Sequence, residues 1–281
     1  MFDLNLFPHP LTGTPFGAAL DLAIVIGALA LGLSLLTREY GWVDRFWALA
    51  PPIFCLLVAA DAGYESARLN LMTVLITLWS ARLTHNYWRK GGFKLGGEDY
   101  RWTYMRAKMG ELRFQFMNCT FISFGQMLIV WLFTSPIHHA WLNRDAPLNW
   151  VDALATGLFL MYWVGEAVAD QQQWNFQQEK KRKIEAGEEI TEPFLTTGLF
   201  SWCRHPNFFC EVSMWWVIYL FAFASSGSLL QWSIAGAIVL NLLFLGSTQL
   251  TETITLEKYP SYREYQERVP ALIPIKFKNS G

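Results

Sequence analysis

A chain of 281 residues that is 53% hydrophobic and 16% charged is too poor in charge for an ordinary soluble domain, where about a quarter of the residues are charged. Its four cysteines (Cys55, Cys119, Cys203, Cys210) form no CxxC pair, which excludes a disulfide scaffold and gives no metal site. The net charge of −1 excludes nothing by itself; what matters is where the charges lie. With 14 Trp, 21 Phe and 10 Tyr, the composition points to an all-α, polytopic integral membrane bundle.

Residues 1–17 lack a basic segment ahead of the first apolar run, so a cleaved signal peptide is not expected. Seven stretches then reach the roughly 20 apolar residues that a span needs: 16–36, 43–61, 69–88, 114–136, 148–170, 207–224 and 228–250. The second carries Pro51-Pro52 and should kink there, because two N–H donors are missing. The sixth begins after Pro206, a natural first helical residue. The charged run 177–192 reads as a solvated helix end followed by a loop, and the tail after 250 as too polar to span. Its apolar end is expected to pack back on the bundle. No repeat or long linker divides the chain, which reads as one membrane domain over 1–281.

Lysine and arginine set the orientation. The loop 89–113 holds seven, the loop 171–206 five and the tail after 250 five; Arg38 and Arg45 follow the first span. The alternate loops hold only Arg68 and Arg144, and the N-terminus none. Seven spans with the N-terminus outside and the C-terminus cytoplasmic satisfy every loop.

Four polar segments stand out. The fifth span ends in EAVADQQQWNF, where Glu166 and Asp170 share one helix face; a solvated helix end is the bland alternative. GLFSWCRHPNFFCE follows, with Arg204-His205 ahead of a helix start and with Asn207 and Glu211 four apart. A cation pair beside free helix N–H groups suits an anion, and a carboxylate inside an apolar span marks a functional site or a buried ion pair. The loop 85–106 sets Lys94 between glycine pairs and continues to Tyr100, as a phosphate-contacting loop or a basic hairpin on anionic lipid. The tail carries Glu257, Tyr259 and Tyr262. No dinucleotide glycine fingerprint, Walker A, HExxH or GxSxG motif occurs, so any nucleotide must be held by the helices themselves.

The order GLFxxxRHPNFxxE, with Asp170 before it and YxxY…PxLIP after it, resembles the steroid 5α-reductase superfamily. Gly97–Arg101 (GEDYR) and Asp170, Gln172 and Phe176 (DxQxxxF) resemble its bacterial DUF1295-like branch. The resemblance implies NADPH-dependent reduction of a carbon–carbon double bond conjugated to a carbonyl in a lipophilic, steroid- or isoprenoid-like substrate. It implies Asn207 and Glu211 beside the nicotinamide and Asp170 as the cofactor-binding aspartate, with Glu166 standing where the steroid enzymes carry an asparagine; Arg204, His205, Lys94, Tyr100, Glu257 and Tyr262, from the polar segments above, complete the candidate cofactor set. Tyr87 matches the substrate-orienting tyrosine. The Gln-Glu pair that animal enzymes turn to the substrate carbonyl is absent, with Asp44 nearby in WVDRFWALAPP. Tyr87, Asp44 and Glu211 are therefore the catalytic candidates, with Tyr87, Tyr100 or a protonated Asp44 facing the carbonyl oxygen. The spans in 1–106 would form the substrate side and residues 148–277 the cofactor side.

The RHPxxxxE pattern with a later Glu and YxxY also resembles membrane methyltransferases of the isoprenylcysteine and phospholipid type, which use S-adenosylmethionine. A non-enzymatic or transport role is the third alternative. Membrane lipid and a lipophilic small molecule are the expected partners, nucleic acid is not, and the oligomeric state stays open. The expected location is the bacterial inner membrane, or the endoplasmic reticulum in a eukaryote, with the cofactor site facing the cytoplasm.

Overall fold

The computed structural model describes residues 11–274, and every regular element among them is helical. Most of the N-terminal segment argued to be no signal peptide lies outside the described residues. Helix α1 (Pro15–Thr37) is capped by Thr14, whose Oγ1 accepts from the Gly17 N–H at 3.0 Å. Helices α2 (Trp42–Asp61), α3 (Ala67–Arg89) and α4 (Tyr100–Met109) follow. The fourth apolar stretch is not one uniform helix. It comprises α5 (Glu111–Met117), a π-helical segment (Asn118–Gly125) and α6 (Gln126–Thr134), after which Pro136 opens α7 (Pro136–Leu142). The π segment holds Asn118, whose amide donates to Ser34 Oγ of α1 at 2.9 Å. The chain ends in α8 (Trp150–Glu185), a 3₁₀ turn (Gly198–Ser201), α9 (Pro206–Ser226), α10 (Ile234–Lys258) and α11 (Tyr262–Arg268).

Among the described residues six helices are long and apolar enough to cross a bilayer: α1, α2, the α5–π–α6 composite, α8, α9 and α10. The protein is therefore a multi-pass membrane protein. The expected span 69–88 is α3, which is helical over 23 residues but more polar than the other six. The reason lies in its packing. Arg68, Thr73, Ser80, Arg82 and Asn86 are buried, whereas Val74 and Leu78 are exposed. The buried face of α3 thus mixes these polar side chains with Leu69, Met72, Leu75, Ile76 and Trp79, and the polar share lowers its hydropathy.

Two compact units cluster in the chain, one of residues 1–157 and 215–240, the other of residues 158–214 and 241–281. In the first, α2 and α3 run antiparallel with both ends tied. At one end Arg45 Nε donates to the Gly92 carbonyl at 3.0 Å and Nη2 to the Lys94 carbonyl at 3.1 Å. At the other end, Arg68 at the start of α3 forms a bidentate pair with Asp152 at 2.8 Å on each arm, and Trp141 Nε1 donates to Asp61 at the end of α2. The core between them is aromatic: Phe133 and Trp215 have ring centroids 4.1 Å apart, and Trp79 meets Trp215 edge-on at 5.0 Å. Pro51 and Pro52 lie within α2, which continues through them.

In the second unit α8 meets α9 where a Cβ built on Gly165 would lie 3.0 Å from Cys210 Sγ, and where Tyr162 stacks edge-on with Phe209 at 5.8 Å. Helix α8 has 36 residues, about 54 Å at 1.5 Å each, so it outruns the roughly 30 Å hydrocarbon layer. Its charged end ties itself off, with Arg182 held between Glu179 and Glu188. Helix α10 starts and ends several residues later than the stretch 228–250. Residues 228–233 instead form a turn held by Gln231, whose amide donates to the Ser228 carbonyl at 2.7 Å.

Candidate active site

The catalytic and binding candidates fall into two groups, one in each unit. In the first unit Asp44 sits in the first turn of α2 and Tyr87 near the end of α3, and the two act on each other electrostatically together with Arg45. Antiparallel packing of α2 on α3 brings them to the same end. Trp102, which is buried, donates its indole N–H to Asp44 Oδ2 at 2.9 Å and so fixes that carboxylate. The Tyr87 hydroxyl oxygen is buried and makes no hydrogen bond; Arg45 is near it but out of hydrogen-bond geometry. The ring is held instead: Phe93 meets it edge-on at 5.3 Å, and Gly92 lies against its face. Glycine at 92 is required by that approach, since a Cβ there would fall 2.3 Å from Tyr87 Cζ.

The GEDYR segment is explained by local chemistry. Glu98 accepts from the Tyr40 N–H at 2.7 Å, and Asp99 caps α4 by accepting from the Arg101 N–H at 2.9 Å. Burial would lower the Arg101 pKa, but the bonds it donates to Asp99 hold it above its ordinary value. Lys94 contributes its carbonyl to the Arg45 clamp and is otherwise exposed, and Tyr100 is exposed. Neither makes a hydrogen bond to the Tyr87 hydroxyl.

In the second unit Glu166 and Asp170 of α8 and Glu211 of α9 are each 4% exposed. They flank the Gly165–Cys210 crossing of these two helices. Asn207, half-buried, lies one turn before Glu211. Gln172 pins the GLF turn to α8, because its Oε1 accepts from the Leu199 N–H at 2.9 Å. That turn needs Gly198, whose φ is +64° and whose position admits no Cβ, because one would lie 2.5 Å from the same Gln172 oxygen.

Arg204, His205 and Tyr262 come together around a residue that the motifs do not single out, Glu252 of α10. Its Oε1 receives Arg204 Nε at 2.6 Å and His205 Nε2 at 2.9 Å, and its Oε2 receives Arg204 Nη2 at 2.9 Å and Gln266 Nε2 at 2.7 Å. Tyr262 OH approaches Oε1 at 3.4 Å. Burial pushes the Tyr262 phenol pKa up, and the Glu252 charge adds to the shift. Burial also pushes the neighbouring Cys203 thiol up to about 11. Arg204 Nη1 further donates to the Gln266 and Val269 carbonyls. The sequence signal for Glu252 is faint: a lone Glu among threonines at the end of an apolar run, one residue of TETITLE. Glu257, the cofactor candidate of this tail, is exposed on the same helix.

The family model described as "Protein of unknown function (DUF1295)" matches residues 30–269. A fission yeast protein (Schizosaccharomyces pombe) described as "Uncharacterized protein C594.04c" is 39% identical over 287 residues, covering 96% of this chain and 83% of the relative. The expected bacterial branch is thus not supported, because the likeness extends to a eukaryotic relative. No solved structure matches the chain.

Proposed function

Since the chain belongs to the DUF1295 family, which is steroid 5α-reductase-like, we propose that it is a membrane oxidoreductase that uses NADPH to reduce a carbon–carbon double bond conjugated to a carbonyl in a lipophilic, steroid- or isoprenoid-like substrate. The observation that carries the reading is the trio of buried carboxylates Glu166, Asp170 and Glu211 on the α8–α9 pair, with Asn207 one turn away. An ionisable residue inside a membrane span is a functional-site signal by default, and three at one crossing support a polar-ligand site there. Amide and carboxylate side chains at a helix start fit a carboxamide, which offers one acceptor and two donors.

When bound, the nicotinamide supplies hydride to the β-carbon of the enone. The chain's own residues do the rest. Asn207 and Glu211 would hold the carboxamide. Asp170 and Glu166 take up polar groups further along the cofactor. Charge grows on the carbonyl oxygen as the double bond is reduced, and a hydroxyl donor lowers the cost of that charge. Tyr87 is suited to this role, because its hydroxyl is buried and uncommitted while its ring is fixed by Phe93 and Gly92. Asp44, itself fixed by Trp102, lies at the same end of the α2–α3 pair. In this reading residues 1–106 supply the substrate side and residues 148–277 the cofactor side, which opens to the cytoplasm.

The test is a titration of the detergent-purified protein with NADPH, followed by fluorescence, beside one with S-adenosylmethionine followed by calorimetry. NADPH binding together with oxidation of NADPH on addition of a steroid or isoprenoid enone is the expected result. Binding of S-adenosylmethionine alone would replace this reading with the methyltransferase one.

A further inference from the structure

We propose that Glu252 is a positioning residue that sets the start of α9, and with it Asn207 and Glu211, by stapling Arg204 and His205 to the C-terminal tail. The proposal rests on the reductase reading only for what Asn207 and Glu211 bind; the staple itself is independent of it.

The geometry leaves Arg204 little capacity for a ligand. A guanidinium has five N–H donors. Those on Nε and Nη2 supply the two bonds to Glu252, and Nη1 supplies two more to the Gln266 and Val269 carbonyls, so four of the five are spent inside the chain. The backbone closes the same knot. The Arg204 N–H donates to the Pro270 carbonyl at 2.9 Å and the His205 N–H to the Ala271 carbonyl at 3.0 Å. Two consecutive backbone hydrogen bonds therefore join the residues just before α9 to those just after α11. Arg204 and His205, which suggested an anion site from sequence, are the fabric of this contact.

Glu252 bonds to both of them through one carboxylate. It also fixes the histidine. Glu252 Oε1 accepts, so the His205 proton resides on Nε2, while the ring stacks on Phe208 at 5.3 Å. His205 directly precedes Pro206, the first residue of α9, and Asn207 comes next. A shift of His205 is passed on to Asn207 through two peptide units, one of them with φ fixed by the proline ring. Side-chain placement to a fraction of an ångström governs how well such a pair meets a ligand.

Cys203 provides a reporter that does not depend on the cofactor. It is 1% exposed and sits beside the knot, so it is alkylated only when the knot opens. The experiment compares wild type, Glu252→Gln and Glu252→Asp in detergent, measuring the dissociation constant for NADPH, the rate of iodoacetamide labelling at Cys203 and the melting temperature. Expected for Glu252→Gln are a loss of NADPH affinity of tenfold or more and a tenfold or greater rise in Cys203 labelling below the melting transition. Glu252→Asp, which keeps the charge on a shorter arm, should fall between the two on both measures, and it decides the matter alone if Glu252→Gln does not fold. Unchanged Cys203 labelling in a folded variant overturns the staple. Faster labelling with unchanged NADPH affinity overturns the positioning role. Failure of the wild type to bind NADPH counts against the reductase reading, and Cys203 labelling then judges the staple by itself.

Discussion

The ring of Tyr87 lies against the backbone of Gly92, so close that a methyl group at 92 would sit 2.3 Å from Cζ and 2.4 Å from Cε1. The same two residues share a hydrogen bond, from the Gly92 N–H to the Tyr87 carbonyl at 3.0 Å. Gly92→Ala must therefore displace the ring or the loop. A melting-temperature loss equivalent to about 1–3 kcal/mol is expected, the usual cost of an inserted methyl in a packed site. Reduction should fall with it.

Tyr87→Phe separates chemistry from packing. The hydroxyl is buried with no hydrogen bond, and a hydroxyl so placed costs roughly 1–3 kcal/mol. Its removal should leave stability unchanged or raise it, while enone reduction drops by two orders of magnitude or more, in the range of a lost general acid or oxyanion donor. Thermal melts and NADPH oxidation on the same sample give both numbers. A destabilised but active variant would assign the hydroxyl a structural bond.

Arg68 and Asp152 are almost wholly enclosed, with side chains 0% and 2% exposed, and Arg68 also donates to the Ala146 and Pro147 carbonyls. Asp152→Ala leaves that guanidinium without its carboxylate, and about 3–5 kcal/mol of stability should be lost. Arg68→Met combined with Asp152→Leu should recover much of the loss, because it removes both charges together. Chemical denaturation in a fixed detergent measures both. Equal damage from the single and double changes would mean that the carbonyl contacts of Arg68, not the ion pair, hold this end of α3.

The helices were legible because membrane spans announce themselves by length and apolarity, and the breaks at Pro136 and Pro206 fall where the sequence places a proline. Tyr87 and Asp44 were legible as a pair only through antiparallel packing of consecutive spans. Two things were not legible. The buried polar side chains of α3 lower its mean hydropathy, and only packing reveals that Arg82 and Asn86 are enclosed. Glu252 forms its bonds to Arg204 and His205 across 48 and 47 residues of sequence, and no local pattern encodes a partner at that distance. An Arg-His pair ahead of a helix reads as an anion site until the carboxylate that occupies it is found.

Topology turns on α3. It runs antiparallel to α2, with Arg68 at one end held by Asp152 and Gly92 just past the other end held by Arg45 of α2, so it should cross wherever α2 crosses, although six other helices are the more apolar. Reporters inserted at Gly63 and at Gly96 lie at its two ends. Opposite sides are expected, with Gly96 cytoplasmic, and the loop 143–147 should then report with Gly63. Reporters at Gly63 and Gly96 on one side would give six crossings and reverse the placement of every later loop.

Glu211 provides the sharpest test of the cofactor reading. It is 4% exposed on the second turn of α9, four residues after Asn207, so both side chains occupy one helix face. Glu211→Gln keeps the size and planarity of the side chain and exchanges one acceptor arm for a donor. A carboxamide that donates to Glu211 would lose a bond to a charged partner, worth roughly 1.5–3 kcal/mol. That corresponds to an NADPH dissociation constant raised about 10–150-fold. The rise in melting temperature on adding NADPH should shrink, because stabilisation by a ligand follows its affinity. A variant that binds NADPH as the wild type does, yet melts well below it, would identify Glu211 as half of a buried structural pair and remove it from the active site.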